Sequence, residues 1–136
     1  MCYFVAIGAS TEGWRLGCWI EDRLGEQVEA NVPSSLLSAA FPSGDAVRSV
    51  TCSGCSCELV VSHDDQVLLR PAFRLALAFL VRRLGDVRLY VASSRDDAAK
   101  EPATLSMTIE QLLCLQTLIP AGVLVDVVAH AASRSE

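Results

Sequence analysis

No Gly-rich phosphate loop, Ser-His-Asp set or pair of catalytic carboxylates stands out in these 136 residues. Phosphate cradling and triad-type hydrolysis therefore have no support in the sequence. Asp64-Asp65 and Asp96-Asp97 read most simply as turn residues. Positive charge is scarce as well, with eleven basic residues against sixteen acidic ones and a formal net charge of −5. Ten of the eleven are arginine, spread from Arg15 to Arg134, and only Arg82-Arg83 adjoin. No basic patch is visible, so nucleic acid is not an expected partner. Long hydrophobic runs are missing too. The longest, Leu75 to Val81, falls well short of the ~20 residues a membrane helix needs, and no membrane association is expected. Met1 to Gly8 carries no positive n-region, so no secretory signal is expected and the chain reads as cytoplasmic.

Hydrophobic residues make up 51% of the chain and charged residues 20%, the balance of a folded protein with a core of its own. A single domain over residues 1–136 is expected, with 131–136 as a frayed tail. Tyr3 to Ala9 is an apolar run that suits a strand covered on both faces. Ser10 or Thr11 can cap a helix whose apolar stripe is Leu16, Ile20 and Leu24, ending at Gly25. The pattern from Val28 to Asp45 is poor, apart from a short helical turn after Pro33 and a turn at Pro42 to Asp45. Val47 to Thr51 alternates like a strand, and Leu59 to Val61 is a brief extended piece.

Pro71 opens the clearest helix, stopped by Gly85, and Val87 to Ala92 is the next strand. Ser93 to Pro102 reads as a solvated loop. Thr108 and Gln111 form a capping box for a third helix that runs toward Pro120, with Val123 to Ala129 as a final strand. The expected order is β-α-β-α-β-α-β: a single four-stranded sheet with about three packed helices, α/β or α+β and possible as ferredoxin-like.

Six cysteines set the functional question, because cytosolic thiols stay reduced and structural disulfides are rare there. Cys52, Cys55 and Cys57 fall within six positions as C-x2-C-x-C, with Gly54 in the turn. Cys55 and Cys57 share one face of an extended backbone, and glycine lets Cys52 fold back toward Cys55. Three thiolates so placed suit a thiophilic ion, zinc by default, and Cys2 ahead of the first strand is the fourth ligand expected for a tetrahedral site. Copper(I) would need only three sulfurs. An iron–sulfur cluster would follow neither common ferredoxin spacing.

Other readings use the same residues. Cys52 and Cys55 have C-x-x-C redox spacing, although a strand rather than a helix follows them. The opening Met1-Cys2 resembles amidotransferases whose N-terminal cysteine is the nucleophile, and the likeness ends at Tyr3, where those enzymes carry glycine. Cys18 and Cys114 read as small buried side chains within helices. His63 reads as a solvated turn residue, and His130 has the weakest claim to any role. Trp14 is turned away from the Leu16 stripe while Trp19 lies near it. A non-catalytic module binding a protein partner or a second copy is therefore a further possibility.

Overall fold

The structure is a computed structural model that describes residues 3–25, 28–31, 35–52, 59–63, 66–92, 102–114 and 116–129. β1 (Phe4–Ala9) forms where the first apolar run predicts it, and Val5 through Ala9 are all buried. α1 (Gly13–Leu24) buries Leu16 and Ile20, with Leu24 against the same core. Its N-cap is Glu12, without a side-chain cap, rather than Ser10 or Thr11. β2 (Val28–Asn31) and the short α2 (Ser35–Ala39) precede β3 (Ala46–Cys52). β4 (Val60–His63) and β5 (Gln66–Leu69) lead into α3 (Pro71–Leu84), and β6 (Asp86–Ala92) follows. Gly85 turns the chain between them at φ 93, a left-handed conformation that a side chain would oppose. β7 (Ala103–Thr108), α4 (Ile109–Leu113), β8 (Leu118–Pro120) and β9 (Val123–Val128) complete the order.

The expected single four-stranded sheet with three helices is wrong. The described residues form a six-stranded sheet, ordered β2-β3-β1-β6-β9-β7, and a separate three-stranded sheet, ordered β4-β5-β8. Among the described residues only the β7–β9 pair is parallel, and four helices stand where three were expected. The strands that sequence missed have physical reasons for being hard to see. Ala103 to Ser106 of β7 are exposed, so its edge strand carries no apolar alternation. β8 is three residues long and ends in proline.

The capping box is present: Thr108 Oγ1 accepts from the Gln111 N–H and the Gln111 side chain accepts from the Thr108 N–H. The helix it starts is nevertheless short. The Thr117 hydroxyl donates to the Gln111 carbonyl at 2.6 Å, and Arg74 donates to the Leu112 and Cys114 carbonyls. Carbonyls that would otherwise want helical partners are thus taken, and Leu118 to Pro120 is free to pair with β5 instead.

One buried cluster joins Val5, Ile7 and Ala9 of β1 to Leu16 and Ile20 of α1 and to Phe73, Leu77 and Leu80 of α3. Leu69 of β5 and Ile119 of β8 belong to it as well, so both sheets share this core. A second cluster on the opposite face sets Ala6, Tyr90 and Leu124 against Leu37, Ala40 and Phe41 from the α2 region. Gly8 lies on that face beneath the Phe41 ring, where a Cβ would collide with ring carbons. Each large side chain so enclosed contributes roughly 1.5–3 kcal/mol.

Candidate functional site

β3 lies between β1 and β2, with Val5 opposite Val50 and Val28 opposite Cys52. Because β1 and β3 are antiparallel, the end of β3 at Cys52 and the start of β1 lie at the same end of the sheet. Cys52 is described only in its backbone. Cys2, Cys55 and Cys57, the other expected ligands, lie outside the described residues. Among the described residues, no group of three or more His, Cys, Asp or Glu side chains is placed to hold a metal ion. His63 closes β4 opposite Gln66 instead of standing in a turn, and His130 lies outside the described residues.

Cys18 and Cys114 are both exposed free thiols, which corrects the expectation of buried side chains. Apolar neighbours in sequence misled that reading. Cys18 lies on the outer face of α1, two positions from the Leu16–Ile20 stripe, and Cys114 caps the end of α4 after its last buried residue. Cys114 has an ordered polar setting. Its thiol pKa is lowered, first by the Gln116 N–H and then by Thr117, with the Arg74 guanidinium adding positive charge, despite some opposing desolvation. With access equal, thiolate fraction decides the rate of alkylation. Iodoacetamide at pH 7 should label Cys114 faster than Cys18, with the difference closing above about pH 9. Peptide mapping by mass spectrometry reads both sites at once, and equal rates at pH 7 would contradict the assigned environment.

The strongest electrostatic cluster was not legible in the sequence. Arg88 on β6 donates Nε and Nη2 to the two carboxylate oxygens of Asp45, the second at 2.8 Å. Its Nη1 donates to Asp86 Oδ2 at 2.8 Å and lies 3.5 Å from Asp126 Oδ1, across the β6–β9 register. Burial alone would lower the Arg88 pKa; the bonds to Asp45 and Asp86 outweigh it and hold the guanidinium above its ordinary value. Asp126 is pushed up, first by desolvation and then by Asp86 and Asp45, against the pull of Arg88. Its Oδ1 is buried with no hydrogen-bond partner. The cluster offers a proton site but no nucleophile, and its chemistry is that of a clasp between the Pro42–Asp45 turn and two strands.

An open groove is lined, among the described residues, by Arg82, Ile109, Glu110 and Ala129, which bring one charge of each sign. Among the described residues, no helix is long and apolar enough to cross a membrane. No protein-family profile, curated protein or solved structure matches the chain.

Proposed function

We propose that the chain binds a thiophilic ion, zinc by default, through Cys52, Cys55 and Cys57, with Cys2 as the fourth ligand. The C-x2-C-x-C spacing carries the reading. What supports the choice of Cys2 is the antiparallel β1–β3 pair, which sets the beginning of β1 beside the end of β3 at Cys52. A fourth thiolate from that end completes the tetrahedral set that zinc prefers. The reading takes the chain as cytoplasmic, where the thiols remain reduced and available.

The ion in this reading clamps the segment after β3 and is not what holds the fold together. Structural zinc supplies on the order of 10 kcal/mol to peptides without a core. Here the buried cluster shared by both sheets supplies one. Elemental analysis of protein purified anaerobically without chelators should give about one equivalent of metal. Circular dichroism after EDTA should keep most of the helical signal. Less than about a tenth of an equivalent of any transition metal rejects the binding claim. Wholesale unfolding on chelation rejects the clamp. Metal-free protein with a cluster thiol that alkylates rapidly below about pH 7 points instead to thiol–disulfide exchange at Cys52 and Cys55.

A further inference from the structure

The ten arginines look scattered along the sequence, yet the fold gathers several of them on one surface. Arg15, Trp19 and Arg23 recur every four residues on α1, and Leu75, Phe79 and Arg83 do so on α3, so each set shares a helix face. The two helices pack side by side, and the sets meet in a ladder of guanidinium groups and rings. Arg15 lies 5.3 Å from the Trp14 ring centroid and 5.9 Å from that of Trp19. Arg83 lies 5.5 Å from both Trp19 and Phe79, and Arg23 lies 3.6 Å from Phe79. Arg15 has one ion pair, with the exposed Glu12. Among the described residues Arg23 and Arg83 have none.

We propose that this ladder is the docking surface for an acidic peptide segment of a partner protein, with Arg15, Arg23 and Arg83 receiving its carboxylates. Among the described residues no carboxylate pairs with Arg23 or Arg83, and a guanidinium edge matches a carboxylate in bidentate fashion. Contact with the rings also restricts the long side chains before the partner arrives, which lowers the ordering cost of binding. Tryptophan and arginine are the residues that most often dominate binding energy at interfaces. Trp14, 61% exposed, and Leu75, 63% exposed, extend the surface with apolar area. The matching segment therefore carries apolar side chains among its acids.

Charge and ring geometry favour that occupant over two others. A nucleic acid strand needs free ring faces for its bases, whereas Trp19 and Phe79 each already carry two guanidinium groups. The net charge of −5 also repels a phosphate chain at long range, and it sets two copies of this chain against each other. A short acidic segment suffers least from that repulsion, since it can place its charge directly on the arginines. The ladder uses no residue of the cysteine cluster, and neither proposal depends on the other.

Both tryptophans of the chain stand on the ladder, so intrinsic fluorescence reads the surface directly. The probes are a synthetic Glu/Leu peptide, its Gln/Leu counterpart and an oligothymidylate, each titrated into the full chain. The Glu/Leu peptide should shift the emission saturably, and binding should weaken several-fold as salt rises from about 0.05 to 0.3 M. Arg23→Gln with Arg83→Gln should weaken it about tenfold or more at an unchanged urea midpoint, and the Lys pair should fall between. The proposal is overturned by no saturable change up to about 1 mM peptide, or by an equal response to the Gln/Leu peptide. Tighter binding of the oligothymidylate overturns it too, as does a dimeric mass by light scattering that the two Gln substitutions abolish.

Discussion

Arg88→Met is expected to lower the free energy of unfolding by about 3–5 kcal/mol, a large share of the roughly 5–15 kcal/mol typical of single domains. The Arg88 and Asp45 side chains are only 12% and 4% exposed, so the substitution leaves a carboxylate enclosed without its cation. Methionine keeps most of the aliphatic volume, which makes the loss electrostatic rather than a cavity effect. Urea denaturation at pH 7 measures it, and a cost below about 1 kcal/mol would show that the clasp is not energetically coupled. Adding Asp45→Asn removes the stranded charge and should bring the protein part of the way back. Lower pH should help the single variant in the same direction, because a neutral carboxyl costs less to bury than an ionised one.

Asp126 gives the wild-type cluster its own pH dependence. Its pKa in the folded chain is raised, so the native state holds this proton more tightly than the unfolded chain does. The associated stability is fully present below the unfolded carboxylate value of 3.8 and is lost as pH rises through the raised folded value. Asp126→Asn should remove that downward slope. With the side chain 40% exposed, solvent screens the effect and the change is expected to be small.

The parts of the fold that were legible in the sequence are those where one face or both are fully buried. β1 reads correctly because Val5 to Ala9 are all buried, and α3 because Phe73, Leu77, Leu80 and Val81 leave a continuous apolar stripe between Pro71 and Gly85. Strands that lie at edges or in the small sheet give weaker signals. β2 and β4 are four residues each, and β7 exposes its first four. Pattern reasoning needs burial to write a periodicity, and these segments have little.

The proposed sites and the Arg88 clasp divide the same way. The cysteine cluster is local in sequence, so its spacing shows without any fold. The Arg88 clasp draws on Asp45, Asp86 and Asp126, and the arginine–aromatic ladder draws on α1 and α3. Both are assembled by strand order and helix packing, which the sequence did not reveal. Two signals were nonetheless present. Asp126 interrupts an otherwise apolar strand, and Arg74 interrupts an otherwise apolar helix face.

Arg74→Met is expected to cost about 3 kcal/mol, because it removes the donors that satisfy several carbonyls at once. The Arg74 side chain is 2% exposed. Nε donates to the Leu69 carbonyl at 2.8 Å, Nη1 to the carbonyls of Leu112 at 2.9 Å and of Cys114, and Nη2 to that of Thr117 at 3.4 Å. These bonds tie the end of β5 to the end of α4 and the approach to β8. Desolvation lowers the Arg74 pKa, with Cys114 opposing the shift, yet a guanidinium stays charged and keeps donating. Arg74→Lys retains the charge without the planar fork and should lose an intermediate amount. The thiol of Cys114, already exposed, reports on the same site: loss of the nearby positive charge should slow its alkylation at pH 7. A variant within about 1 kcal/mol of wild type, with an unchanged Cys114 rate, would show that Arg74 does neither job.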